Sequence, residues 1–466
     1  MITRIEINGF KSFSGFSLDL APFVVVAGVN GAGKSNFFDA IRLLARLAEM
    51  DIRSAFADQR GEAYELFTLH PDGSYARQME FAVEMLVDRK VRDSWGSEAE
   101  IKYTRLRYEL CLERRQDHRN IERLFVKRED LRAIPRSGDR WYQHYVGRHN
   151  SSWRPESTGG RSPFISSESD ANTVNLHQDK GSRGRPRPIA DLESTMLSGV
   201  TNTEFPHALA VREEMRHWRF MQLNPVALSK PVAKMTASEV MRPDGSGLAS
   251  ALFRIKQEEP GLISDIALDM SRLIPGIRDL DVREDEQEKK YTVSMTMEDG
   301  RVFSSLVLSE GTLRLLALAT LKHDPQHRGV LCFEEPENGV HPKRIGQVVR
   351  LLRGLSTQFA EEADAPFPAR QVLINTHSPL LVGEVCQMPQ VAARGLVLFA
   401  RQAIQVAQGR KIHHTRIDPV QLDGQTNIMF EKTDPEQGAV RFSKLELIQY
   451  LETADFGPAV SLLNEP

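Results

Sequence analysis

The chain has 466 residues, 41% of them apolar and 26% charged, long enough for two or three packed units and too apolar for a disordered polymer. Sixty basic residues stand against 63 acidic ones, a formal charge of −3 that excludes a uniformly basic nucleic-acid coat and a polyacidic chain while leaving room for a local basic surface. Cys111, Cys332 and Cys386 are too scattered for a disulfide framework or a C-x-x-C zinc pair, MITRIEINGF lacks the pattern of a signal peptide, and no apolar run nears the roughly 18 residues that span a bilayer, so a cytoplasmic chain is expected.

Short alternating runs, Ile2 to Ile7 and Phe16 to Leu20, precede a continuous one, Phe23 to Ala27, which reads as a buried central strand. Phe37, Phe38, Ile41, Leu44 and Leu47 then recur at three- and four-residue steps from Ser35 onward, predicting an amphipathic helix. From about Met79 to Leu112 the segments MEFAVEML, IKYT and LRYELCLE predict an antiparallel sheet beside this strand and helix. From about Pro135 to Pro188 the chain is rich in Ser, Gly, Pro and Arg with little periodicity, predicting a surface insertion or mobile loop. Between Glu113 and Ala190, 16 basic residues face 10 acidic ones, a local excess of six positive charges. Helical patterns resume at Ile189 to Leu197, His207 to Phe220 and Gly247 to Ile274, and IRDLDVRE and KKYTVSMTMEDGRVF bracket a charged hairpin tip, Glu284 to Lys290. Neither a solenoid period nor a long heptad run is present.

Gly28 to Ser35 read GVNGAGKS, a complete G-x-x-x-x-G-K-[ST] pattern set between the buried strand and the amphipathic helix. In such a loop successive backbone N–H groups point at phosphate oxygens, and glycines at 28, 31 and 33 let the backbone approach without Cβ clashes. The helix beginning near Lys34 adds its positive dipole end; Lys34 would neutralise β- and γ-phosphate charge, and the Ser35 hydroxyl would ligate Mg2+. A second apolar run, Gly329 to Phe333, ends in Glu334, Glu335, Pro336 and Glu337. A carboxylate at that strand end suits the metal shell at position 334, and the next suits a base for the attacking water at 335. Just before it, LSEGTLR (Leu308 to Arg314) places Ser309 and Gly311 at a helix N-terminus. One P-loop serves one nucleotide, so this second anion site is expected to serve the nucleotide of a second chain. A third strand, Gln371 to Asn375, leads into Thr376, His377, Ser378 and Pro379; His377 there would bond the γ-phosphate and sense its loss, or serve as a capping or loop histidine.

Taken together, NGFKSF (Asn8 to Phe13), GVNGAGKS, LSEGTLR, CFEEPENGVHP (Cys332 to Pro342) and NTHSP (Asn375 to Pro379) resemble ABC-type ATPases of the SMC and RecF branch. EPENGVHP with THSP narrows the resemblance to the AAA-21/AAA-15 group found in OLD-family proteins and bacterial anti-phage defence systems. The resemblance implies an α/β fold with an ABC/RecF-like P-loop ATPase core, a mixed sheet flanked by helices, and ATP with Mg2+ as cofactors. It implies nucleotide contacts from Asn30, Gly31, Gly33, Lys34, Ser35 and Asn36, metal contacts from Ser35 and Glu334, Glu335 as the catalytic base and His377 as the switch histidine. Ser309 and Gly311 would reach across a head-to-head homodimer or higher homo-oligomer. Gln59, in DQRGEAYELFT, is the candidate Q-loop glutamine, with an ordinary surface residue as the alternative; Lys11, in the FKSF turn, contacts phosphate or nucleic acid or is simply solvated. Two departures stand out. Glu334 replaces the usual Asp of ABC-type proteins, which implies slow hydrolysis, and Asn338 to His341 stand where transporter-type relatives carry an Asp.

The expected organisation is an N-terminal part of the ATPase core over 1–125, a basic Ser/Gly/Arg-rich insertion over 126–190, a helical and β lobe over 191–305, the C-terminal part of the core over 306–400 and an extension over 401–466. No TOPRIM metal pair, a glutamate after one strand and an Asp-x-Asp after another, is found. The resemblance implies the role of sensor or regulatory subunit in a two-component bacterial anti-phage defence system, and the missing pair makes the nuclease, TOPRIM-type or toxin effector a separate protein, with no membrane partner expected. The alternative is a RecF-like DNA-repair or chromosome-maintenance ATPase, for which the insertion, with Arg183, Arg185 and Arg187, offers a DNA-binding surface. A transporter subunit is disfavoured by the large middle region and the missing aspartates.

Overall fold

Phe23–Ala27 is buried at all five positions because both faces of its sheet are covered. Val24 and Val26 enter one apolar core, and Phe23, Val25 and Ala27 enter another, the period-two alternation of a strand packed on both sides. The computed structural model describes residues 1–116, 119–147, 153, 163–168, 172–178, 186–189, 192–236, 240–359, 368–388, 395–407, 410–421, 442–443, 447 and 449. Within it this strand is fourth in a seven-stranded sheet, ordered Arg219–Met221, Gly329–Glu334, Arg370–Thr376, Phe23–Ala27, Leu396–Ala407, Arg410–Gln421 and Phe442–Ser443. The first five strands run parallel, so their C-terminal ends share one edge. Register aligns those ends: Ala27 pairs with Thr376, and Asn375 with Glu334.

The first core holds the helix Lys34–Leu47, through Phe37, Phe38, Ile41 and Leu44, together with an eight-stranded antiparallel sheet. That sheet runs Arg187–Pro188, Thr173–Leu176, Ile165–Glu168, Glu122–Ala133, Arg105–Gln116, Gln78–Leu86, Ile2–Asn8 and Phe16–Asp19. The second core gathers the helices Glu310–His323, Ile345–Gly354 and Pro379–Gln387 on the other face of the parallel sheet. It continues into a lobe where Leu248–Glu258 and Pro260–Leu273 pack on a small antiparallel sheet built around Ile277–Asp285 and Lys290–Met297. The charged tip lies between those two strands, where the alternating pattern places it.

The expected insertion over 126–190 needs correcting. Its first residues belong to Glu122–Ala133, which pairs along its length with Arg105–Gln116, so a boundary at 125/126 would cut a strand of the main sheet. The helix Arg140–Tyr145 buries Trp141, Tyr142 and Tyr145, and the Trp141 indole donates to the Leu20 carbonyl at 2.6 Å. Arg105, itself buried, clamps Asp139 through Nε at 2.7 Å and Nη2 at 3.1 Å and donates from Nη1 to Thr3 at 2.6 Å. Isolated aromatic anchors set among Ser, Gly and Arg carry no period, which is why composition alone suggests a loop. Arg183 and Arg185 lie outside the described residues, and Arg187 is exposed in a two-residue edge strand. A boundary at 400/401 likewise falls inside a strand, because Leu396–Ala407 runs on and returns as Arg410–Gln421.

Candidate nucleotide and metal site

Three adjacent parallel strands deliver their C-terminal residues to one edge: Phe23–Ala27 leads into the glycine loop, Gly329–Glu334 into the carboxylates, and Arg370–Thr376 into His377. The loop is shaped by contact as much as by dihedral freedom. Gly33 has φ 93°, and a Cβ there would lie 1.8 Å from Thr415 Oγ1; at Gly28, φ 149°, a Cβ would lie 2.5 Å from the Ala400 carbonyl oxygen. Both neighbours belong to the hairpin of Leu396–Ala407 and Arg410–Gln421, which presses on the loop and leaves no room for a side chain. Gly31 and Asn30 are exposed, and the Gly31 carbonyl accepts from Gln402 Nε2 at 2.6 Å.

Lys34 is buried, and its ammonium donates to the Gly28 carbonyl at 2.7 Å and the Val29 carbonyl at 2.9 Å, holding the charge inside the loop. Burial pushes its pKa down to about 8, opposed by the carboxylates of Glu335 and Glu337. Ser35 is half-buried, and its hydroxyl is engaged by no hydrogen bond among the described residues. Asn36 Nδ2 donates to Ser12 Oγ at 2.8 Å, and Ser12 Oγ meets Thr415 Oγ1 at 2.6 Å, tying the FKSF turn, the loop helix and the hairpin together. Lys11, φ 46°, is not a solvated lysine: its ammonium pairs with the buried Asp39 carboxylate at 2.7 Å.

Glu334 closes its strand with both carboxylate oxygens 3.4 Å from Arg60 Nη2. Next to Arg60, Gln59 is buried rather than an ordinary surface residue; its amide donates to the Ala55 carbonyl at 3.4 Å, and its Oε1 has no partner among the described residues. Glu335 sits in the left-handed region, φ 48°, a conformation that costs a β-carbon-bearing residue roughly 1 kcal/mol or more. Its amide donates to the Asn375 carbonyl at 2.8 Å, its Oε1 meets His377 Nδ1 at 2.7 Å, and its Oε2 accepts from Asn338 Nδ2 at 2.7 Å. A carboxylate on Nδ1 calls for the proton on that nitrogen, so His377 presents Nδ1–H to Glu335 and leaves Nε2 as its other face. Glu337 is buried, which raises its pKa; one of its oxygens accepts from Thr376 Oγ1 and the other has no partner among the described residues.

Ser309 caps the helix Glu310–His323, its hydroxyl accepting from the Thr312 N–H at 3.2 Å. Gly311 packs on the turn after the carboxylates, where a Cβ would come within 3.1 Å of the Gly339 carbonyl oxygen. Ser309 and Gly311 line a pocket of about 530 Å³ with Glu310, Gly339, His341, Lys343 and Arg344, and no residue of Gly28 to Ser35 takes part. The structure therefore brings Lys34, Glu334, Glu335 and His377 to one strand edge and leaves the Ser309 pocket apart. Sequence reasoning missed Arg60, Asn338, Thr376, Gln402 and Thr415. The second and third stand inside quoted motifs, whereas Gln402 and Thr415 come from a hairpin that carries no motif.

Residues 201–383 match the family model described as "AAA domain, putative AbiEii toxin, Type IV TA system", and residues 4–81 match one described as "AAA domain". Between them the two matches take in the glycine loop, Ser309, the carboxylates and His377. Over these stretches the chain resembles ATPase domains of the SMC/RecF-like, ABC type. A chromosome partition protein Smc from Synechococcus sp. is 39% identical over 102 residues; the match spans 21% of this chain and only 8% of that relative. Solved structures similar to it include an SMC head bound to the C-terminal winged-helix domain of ScpA, 12% identical, with 91% of this chain and 98% of that one covered at a TM-score of 0.46. An SMC head domain from Thermotoga maritima is 12% identical, with 90% and 99% covered and a TM-score of 0.36. An SMC head with an extended coiled coil, bound to the C-terminal domain of ScpA from Pyrococcus furiosus, is 12% identical, with 90% and 96% covered and a TM-score of 0.42.

The residues fit the cofactors that ATPases of this kind use. The Lys34 ammonium, buried and held by two loop carbonyls, would supply the positive charge for phosphate. For Mg2+ the chain offers oxygen donors, the Ser35 hydroxyl at the loop helix and the Glu334 carboxylate at the strand end, the latter engaged here by Arg60. Among the described residues no group of three or more His, Cys, Asp or Glu is placed to hold a metal.

Proposed function

We propose that this ATPase hydrolyses ATP between two copies of itself, head to head, and serves as the sensor or regulatory subunit of a two-component anti-phage system whose nuclease or toxin effector is a separate protein. The observation that carries the dimer is the isolation of the Ser309 pocket. It combines a capped helix N-terminus with Lys343 and Arg344, a setting for anionic oxygens, and yet receives nothing from its own P-loop. The Arg314 Nε, beside Gly339, is buried without a partner among the described residues. A second chain's nucleotide would satisfy this face.

In the proposed site Gly31, Gly33 and Lys34 would hold the phosphates, and Ser35 and Glu334 the Mg2+. ATP, when bound, supplies the γ-phosphoryl group whose transfer to water is the reaction. Glu335 would take the proton of the attacking water, and His377 and Asn338, one on each carboxylate oxygen, would fix its direction. Arg60 must leave Glu334 before a metal can approach, which supports slow turnover. The defence reading draws support from the AbiEii-type description of residues 201–383. Among the described residues no helix is long and apolar enough to cross a membrane. Glu335→Gln keeps the shape but cannot accept a proton, so with ATP and Mg2+ it should accumulate as a closed dimer in light scattering, and a monomer under those conditions overturns the sandwich. The similarity to a chromosome partition Smc favours a second reading, DNA maintenance. Duplex binding that falls steeply with salt would select it.

A further inference from the structure

At the edge of the parallel sheet opposite the glycine loop lies a cavity of about 770 Å³. Arg219 opens the edge strand Arg219–Met221, and Arg328 immediately precedes Gly329–Glu334, the strand whose other end carries Glu334. Six residues of strand at roughly 3.3 Å each put about 20 Å between this cavity and the carboxylate edge. Four cations line it, Arg89, Lys90, Arg219 and Arg328, with His217 beside them, against one carboxylate, Asp88.

Neither Arg219 nor Arg328 donates a hydrogen bond or forms an ion pair among the described residues. Arg219 is half-buried, and burial pushes its pKa down, with Asp324 opposing and the neighbouring Arg328 adding to the fall. The Asp324 carboxylate is committed to Arg254, at 2.6 Å. His217 is lowered by burial and then by Arg328, the response of an imidazole in a positive field. The one lining carboxyl, Asp88, accepts from the Ala369 amide at 3.3 Å and is pushed up to about 6, first by burial and then by Glu214, with Arg328 opposing. Both arginines line the same recess and repel each other, and the half-buried Arg219 also keeps its desolvation cost; a multiply charged anion offsets both. Val240, Pro325 and Pro368 give the same recess apolar walls, and its volume is that of a small-molecule pocket.

We propose that this cavity binds a small organic molecule bearing two or more phosphate groups, at a site separate from the P-loop, with Arg219 and Arg328 as its principal ligands. A recessed, partly apolar cavity suits such a molecule better than a nucleic-acid backbone, which needs an extended open track. The test uses the full chain carrying Lys34→Ala to silence the P-loop, titrated calorimetrically with pyrophosphate and with ADP. One saturable site per chain is expected, weakened about tenfold or more by Arg219→Gln and again by Arg328→Gln, since each removes a charge-assisted donor. Arg328 is exposed, so its replacement leaves the core intact and keeps the test valid should Arg219→Gln unfold. Absence of saturable binding to the Lys34→Ala chain, or affinity indifferent to both arginines, overturns the proposal. Displacement of pyrophosphate by a short DNA duplex with a steep salt slope overturns it in favour of nucleic acid.

Discussion

If Lys34 must be charged to hold phosphate, ATP affinity should follow its protonation. Burial holds the ammonium at about 8 where an exposed lysine titrates at 10.5, and the nearby Glu335 and Glu337 only partly oppose this. The sign follows directly: the ligand-free protein carries the charge below pH 8 and loses it above, whereas phosphate oxygens in the complex raise the value again. Affinity is therefore full below pH 8 and falls as pH rises through it. With a value of about 8, the charged fraction drops from about nine-tenths at pH 7 to about one-tenth at pH 9, a loss of about tenfold in Kd. The assay is equilibrium binding of a fluorescent ATP analogue with Mg2+ from pH 6.5 to 9.5, with Lys34→Arg as control, since a guanidinium stays charged throughout. Wild type should lose affinity relative to the control above pH 8. Parallel profiles for the two proteins would refute the argument, because a fully charged lysine leaves no proton to exchange.

Gly33→Ala should cost ATP binding about 1–3 kcal/mol through backbone strain alone and also displace the hairpin at Thr415; in the same fluorescence titration Gly31→Ala, equally at positive φ but with its nearest neighbour, Gln402 Nε2, at 4.0 Å, should be the milder change. Asp139→Ala should lower stability in urea by about 3 kcal/mol, because it leaves the buried Arg105 guanidinium with the Thr3 hydroxyl and, as counter-charge, only the Glu84 carboxylate at 3.7 Å. Glu129 is fully buried and pushed up to about 7, burial outweighing its bonds from the Met196 and Leu197 amides and the Tyr108 hydroxyl. Raised above its unfolded value of 4.5, it contributes stability present below that pH and lost as pH rises to 7; urea unfolding of Glu129→Gln should lack this slope.

The glycine loop, the carboxylates after Gly329–Glu334 and the histidine after Arg370–Thr376 were legible in the sequence because each is a local pattern, a buried apolar run ending in residues of special chemistry. The order of the strands was not. Only hydrogen-bond register puts Arg370–Thr376 between the other two and aligns Ala27, Thr376 and Glu334 on one edge. The aromatic anchors Trp141, Tyr142 and Trp153 are scattered through polar text, so their burial emerges only when the antiparallel sheet gives them a core to enter. Gln402 and Thr415 reach the loop across hundreds of residues, and Arg219 and Arg328 line one cavity because two strands far apart in sequence lie side by side. Local spacing determined what this chain can bind at its P-loop; contacts between distant segments decided which carboxylate faces which histidine, why Gly33 admits no side chain and where unpaired charge collects, since those depend on packing that no local pattern encodes.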